Sequence, residues 1–140
     1  MKPSPFQIGA HRLASLSFDI NDKYQPPKDG KTLLVFKNDI KVKRYNKDRL
    51  AEVTFTLTLF EPEKPEASPF TAKIVYQGLF KWDEKVTEEE LGTYLQVNAP
   101  AVLFSYIRPI VTQLTVQAGF PPLNLPMMDF RKGKEKTNDR

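Results

Sequence analysis

Between Asn98 and Pro126 the chain reads NAPAVLFSYIRPIVTQLTVQAGFPPLNLP, and Arg108 is the only charged residue there, although 27% of the whole sequence is charged. Leu103, Ile107, Ile110, Val111 and Leu114 recur at helical spacing and make one apolar stripe. Val102, Phe104 and Tyr106 add apolar surface beside it, so the first turns are apolar nearly all round and need cover on more than one face. Pro109 and the interspersed Thr and Gln interrupt the run a bilayer span would need, so no membrane insertion is expected. The helix is expected to press on its own sheet on one side and on a second subunit on the other. Asn98 suits an N-cap, Pro100 the first turn, and Gly119 a left-handed C-terminal position, with Pro121-Pro122 forbidding continuation. Pro109 is expected to bend the rod, because it deprives the Ser105 carbonyl of its donor.

Upstream, periodicity changes from helical to twofold. Phe6 to Ile20 reads as a first strand, with Leu16, Phe18 and Ile20 alternating against Ser17 and Asp19. Asn21 to Thr32 is a crossover marked by Pro26-Pro27 and Asp29-Gly30, followed by an apolar knot, Leu33 to Phe36, read as either a short covered strand or a groove-filling loop. Ile40 to Tyr45 is the second strand. Leu50 to Phe60 is the third, with Val53, Phe55, Leu57 and Leu59 facing a core and Thr54, Thr56 and Thr58 facing outward. Glu61 to Glu66 reads as an acidic hairpin loop, and Phe70 to Trp82 as the last strand, with Gly78 marking a bulge. Thr87-Glu88-Glu89-Glu90 has capping-box spacing, so a short helix should run to about Gln96 before the main one starts. The pattern is α+β: an antiparallel sheet of about four strands with helices packed on one face.

A chain of 140 residues forms one domain, here 1–130, able to bury about 68% of its unfolded surface. Of the net charge of +4, the tail 131–140 supplies five basic and two acidic residues, or +3, leaving +1 for the body. The tail therefore reads as a polar, disordered appendage. Catalysis is not expected. There is no cysteine, and the single histidine, His11, reads as an ordinary surface residue; triads and His-containing metal sites have no raw material. Phosphate-binding glycine loops are missing, and no cofactor is implied. Met1 to Phe6 has no apolar run of the signal-peptide kind, which fits a cytoplasmic protein. Lys37, Lys41, Lys43, Arg44, Lys47 and Arg49 surround Tyr45 and raise a nucleic-acid reading. One interleaved aromatic is too few for a base-stacking surface, and lysines on an edge strand also discourage unwanted pairing.

Asn98-Ala99-Pro100, Val102-Leu103-Phe104, Tyr106, Arg108, Gly119 to Leu125 and Asp129-Phe130 together resemble the bacterial SecB preprotein-export chaperones. Leu16-Ser17-Phe18-Asp19, Gly78-Leu79-Phe80 and Leu91-Gly92-Thr93-Tyr94 extend the resemblance over roughly residues 6 to 130. It implies an oligomer, dimer or tetramer, with dimers joined through their sheets and main helices sandwiched between dimers; Leu103, Ile107, Ile110, Val111 and Leu114 would divide between sheet packing and that seam. It also implies an ATP-independent holdase that takes unfolded polypeptide into apolar grooves. Tyr24, Leu33, Leu34, Phe36, Tyr94, Phe120, Leu123 and Leu125 are the groove candidates, being apolar residues outside or at the ends of strands. Two departures weigh against delivery to the SecA motor. Relatives offer SecA carboxylates on the outer sheet face, but the matching positions here are Ser15, Asp19 and Lys73, leaving Asp19 as the one acidic contact. After Phe130, where the family continues with a second helix, the chain turns to Arg-Lys-Gly-Lys-Glu-Lys. A SecB-like chaperone dedicated to one partner, such as an antitoxin, fits equally well, and a small basic nucleic-acid-binding module is the alternative of another class.

Overall fold

The computed structural model describes residues 1–30, 32–60 and 67–131. The acidic loop 61–66 and the tail 132–140 lie outside the described residues. Four strands, β1 (Phe6–Ile20), β2 (Phe36–Tyr45), β3 (Leu50–Leu59) and β4 (Phe70–Trp82), form one antiparallel sheet in the order β1-β4-β3-β2. A short helix α1 (Glu88–Thr93), a π-helical turn (Tyr94–Asn98) and the long helix α2 (Ala99–Gln117) follow and pack on one face.

Twofold alternation explains the sheet. Ala51, Val53, Phe55, Leu57 and Leu59 are buried, while Glu52, Thr54, Thr56 and Thr58 on the opposite face are only half-covered. Leu103, Ile107 and Val111 close the core from the helix side. β2 begins at Phe36 rather than Ile40, because Phe36 pairs with Leu59 and extends the ladder of β3; Leu33 to Val35 remain loop. β3 stops at Leu59. Phe60 turns to φ 57° and donates its N–H to the Val35 carbonyl at 2.7 Å, tying the crossover to the sheet.

Gly78 does not carry a bulge. The irregularities are in β1: two residues, Gly9 and Ala10, oppose Leu79 alone, and Ala14 is unmatched between the Leu13–Tyr76 and Ser15–Val75 pairs. Gly78 serves helix packing, since a Cβ there would sit 2.9 Å from Leu103 Cδ2 and 3.2 Å from Phe80 Cε1. The two bulges shift the strand's phase by one residue and then restore it. Phe6, Ile8, Leu16, Phe18 and Ile20 share the helix-side face with His11 and Leu13.

The helical rod starts eleven residues before the expected cap at Asn98. Thr87 is the N-cap: its hydroxyl accepts from Glu90 N–H at 3.1 Å, and Glu90 Oε1 accepts from Thr87 N–H at 2.9 Å. Asn98 has helical dihedrals and caps nothing. Pro100 cannot donate, and the hydrogen-bond ladder slips in the turn before it, where Ala99 N–H reaches back five residues to the Tyr94 carbonyl. The C-terminus is as expected. Gly119, at φ 87°, donates to Val116 O at 3.0 Å, and Phe120 N–H donates to Thr115 O at 2.9 Å, a Schellman closure.

Candidate functional site: an aromatic end with uncovered loops

Where β1 ends and β4 begins, Phe70 collects three other aromatic rings. Phe18 stacks on it at 4.6 Å, Phe60 meets it edge-on at 5.0 Å, and Phe120 leans against it at 5.4 Å. Leu34 and Phe36 pack partly against the same core. Beside this floor, on the crossover that Phe60 N–H ties down at Val35, apolar side chains stand in solvent: Leu33 is 83% exposed and Val35 40%. Exposed apolar loop residues flanking an aromatic floor can take up extended chain by burial alone.

A second set of residues holds the segment after α2 in place, and sequence reasoning missed it. The Thr115 hydroxyl, almost fully buried, accepts the Leu123 N–H at 3.0 Å and lies 2.9 Å from Thr112 O. The Thr112 hydroxyl lies 3.0 Å from Leu123 O and 3.1 Å from Asn124 Oδ1, and Arg108 Nε donates to Leu125 O at 2.9 Å. These three side chains fasten residues 123–125 along the helix, and Phe130 then reaches Phe55 and Phe104 at 5.7 and 5.8 Å. The signal was available: Arg108, Thr112 and Thr115 stand at i, i+4 and i+7, on one stripe of the helix.

The expected groove residues separate into three groups. Leu34, Phe36, Phe120 and Leu123 are half-buried and pack on the core, with Leu33 fully out in solvent beside Leu34. Tyr24 is half-buried in the crossover, where its hydroxyl bonds Thr32 Oγ1. Tyr94 lies elsewhere: it stacks on Phe6 at 4.8 Å, and Phe6 pairs with Trp82, at the far end of β4 from Phe70. That separation is roughly 40 Å at about 3.3 Å per strand residue. Leu125 is 1% exposed and belongs to the core, so it offers no surface to a guest; Arg108 holds its carbonyl against the helix. Of the seam residues, Leu103, Ile107 and Val111 are spent on the sheet, whereas Ile110 and Leu114 are half-buried. Uncovered apolar surface next to the helix is instead on β1, at Leu13, Leu16 and Ile20.

His11 is exposed yet built in. Its Nδ1 is 2.7 Å from the Tyr76 hydroxyl and its ring stacks on Tyr106 at 4.3 Å. Burial, and next the neighbouring Tyr106, raise the Tyr76 pKa above its ordinary value. Asp19 pairs with Thr71 on the outer sheet face, and Ser17 and Lys73 pair one row further in. Among the described residues no cluster of three or more His, Cys, Asp or Glu could hold a metal ion, and no helix is long and apolar enough to cross a membrane.

Among solved structures, the fold resembles the Mycobacterium tuberculosis Rv1957 SecB-like chaperone, solved in complex with a ChAD peptide from the Rv1956 HigA1 antitoxin. The TM-score is 0.71 at 23% identity, over 89% of this chain and 91% of that one. Protein-export protein SecB of Anaplasma marginale (strain Florida) is 36% identical over 81 residues, 58% of this chain and 46% of the relative. Protein-export protein SecB of Rhodospirillum centenum is 26% identical over 128 residues, 90% of this chain and 75% of the relative. The chain spans about half the length of several curated relatives it matches. The profile of the family described as Preprotein translocase subunit SecB matches residues 3–134, nearly the whole chain, which therefore belongs to the SecB family.

Proposed function

We propose that the protein is a chaperone that holds unfolded polypeptide without nucleotide, using the aromatic end and its loops as the client surface. The observation that carries this reading is the uncovered apolar pair Leu33 and Val35 beside the Phe18–Phe60–Phe70–Phe120 floor, in a chain of the SecB family. Burial contributes about 25 cal/mol per Å², against an ordering cost of about 1 kcal/mol per client residue, so a single surface binds weakly and without sequence preference. Tight holding comes from several copies engaging one chain. The exposed Leu13, Leu16 and Ile20 on β1 support assembly into a homo-dimer or tetramer.

The test is suppression of aggregation of a denatured model polypeptide at stoichiometric ratio without nucleotide, repeated with Phe36→Asp. Holding should weaken several-fold in the variant while oligomer size stays constant. No holding by the wild type refutes the reading, and unchanged holding by Phe36→Asp removes the crossover from the client surface.

A second reading is a chaperone dedicated to one partner, supported by the structural likeness to a SecB-like chaperone that carries an antitoxin peptide. A pull-down that returns one stoichiometric protein rather than a spread of unfolded ones separates the two. Delivery to SecA would have to rely on Asp19 alone among the matched positions, and we do not propose it.

A further inference from the structure

The outer face of the sheet, opposite the helices, has a charge pattern that client holding leaves unused. Strand register sorts it into rows. One row reads Lys37–Thr58–Lys73–Ser17, and another, four residues along the strands, reads Lys41–Thr54–Gln77–Arg12. Between them runs Asp39–Thr56–Val75–Ser15. Over the whole face Arg12, Lys37, Lys41, Lys43, Lys73 and Lys81 oppose Asp19, Asp39 and Glu52: six positive charges against three negative, a net +3. The six basic residues are all exposed.

Two features make this more than a solvated surface. Among the described residues, Arg12, Lys41, Lys43, Lys73 and Lys81 form no ion pair; the described pairs, Arg44–Glu88 and Arg131–Asp129, lie off this face. Moreover, Arg12 is oriented. Its Nε donates to Gln77 Oε1 at 3.2 Å, and Gln77 Nε2 donates to Thr54 Oγ1 at 3.4 Å, a chain of side chains crossing three strands. That chain holds the guanidinium along the row and leaves its two terminal nitrogens for an outside acceptor.

We propose that this face docks an extended acidic segment of another protein. Lys41 and Lys43 lie two residues apart on this face of β2, about 7 Å at 3.4 Å per residue, and alternate side chains of an extended partner repeat at the same interval. The row before Lys41, with Asp39 and the half-buried Val75, rejects a carboxylate and accepts a neutral or apolar residue. The same pattern disfavours nucleic acid. A continuous phosphate chain would meet Asp39 and Glu52, and the aromatic residue of the face, Tyr45, has Lys43 Nζ over its ring at 5.5 Å instead of a free stacking surface.

The proposal goes beyond client holding and is tested apart from it. Two labelled probes are titrated by fluorescence anisotropy: a short peptide with glutamate at alternate positions, and a single-stranded oligonucleotide of matched length. The peptide should bind more weakly as salt rises. Lys41→Glu/Lys73→Glu should lose at least tenfold in peptide affinity, while Lys85→Glu, on the loop after β4, should lose little. Holding of denatured polypeptide, measured on the same samples, should not change. Equal peptide affinity in wild type and Lys41→Glu/Lys73→Glu overturns the proposal. An oligonucleotide that outcompetes the peptide and is lost in the same variant also overturns it, by assigning the face to nucleic acid.

Discussion

Replacing Thr115 by valine exchanges a hydroxyl for a methyl at a position that is 1% exposed. The hydroxyl is the acceptor for the Leu123 N–H at 3.0 Å, and valine leaves that donor half-buried without a partner. An orphaned buried donor costs about 1–3 kcal/mol, and the added methyl returns roughly 0.8 kcal/mol by burial, so a net loss of about 1 kcal/mol is expected. The loss falls on the attachment of residues 123–125 to α2, because the Val111 and Thr112 carbonyls that the hydroxyl also approaches are helix carbonyls with a backbone ladder of their own. Hydrogen exchange should therefore show about a fivefold faster Leu123 amide, with β3 and β4 amides unchanged. Arg108→Met, which removes the donor to Leu125 O, should loosen the same segment, and the double variant should fall short of the sum because both bonds hold one piece of chain. Unaltered exchange at Leu123 and its neighbours in both single variants would show that packing of Leu125 and Phe130, not the polar clamp, holds the segment.

Two other expectations follow from the packing and the charges. Gly78→Ala should destabilise by about 1–3 kcal/mol in denaturant melts, since its Cβ would sit 2.9 Å from Leu103 Cδ2, and Leu103→Val should relieve part of that. Arg44 holds Glu88 in a fork of 2.7 and 2.9 Å, and this hydrogen bonding lowers the Glu88 pKa from its ordinary 4.5. A lowered folded-state value stabilises above the ordinary one and is lost as pH falls through the folded one. The melting-temperature gap between wild type and Glu88→Gln should thus be present at neutral pH and close in strong acid; a gap that persists there would contradict the pairing.

Elements whose signal is local were legible in the chain alone. The bounds of β1 and β4 and the inward face of β3 follow from alternation, because a side chain's direction in a strand depends only on its parity while the strand is regular. The Thr87 box and the Gly119 closure were legible because capping is settled within a few residues of chain.

Tertiary structure decided what depends on a partner distant in sequence. Parity along β1 would send His11 away from the face shared by Phe6 and Leu16; the paired bulges turn it under Tyr106, since only the register against β4 sets the phase. Asn98 looked like a cap because its side chain suits one, yet the helix was already running from Thr87. Gly78 looked like a bulge because nothing in a single strand announces a helix passing overhead. Leu125 and Tyr94 shared an apolar character with Phe36 and Phe120, but composition carries no position. Arg108 tied the Leu125 backbone to the helix with its side chain in the core, and Tyr94 went to the other end of the sheet with Phe6. Polarity in the chain fixed which faces needed cover; the register and the helix's path fixed which of them received it.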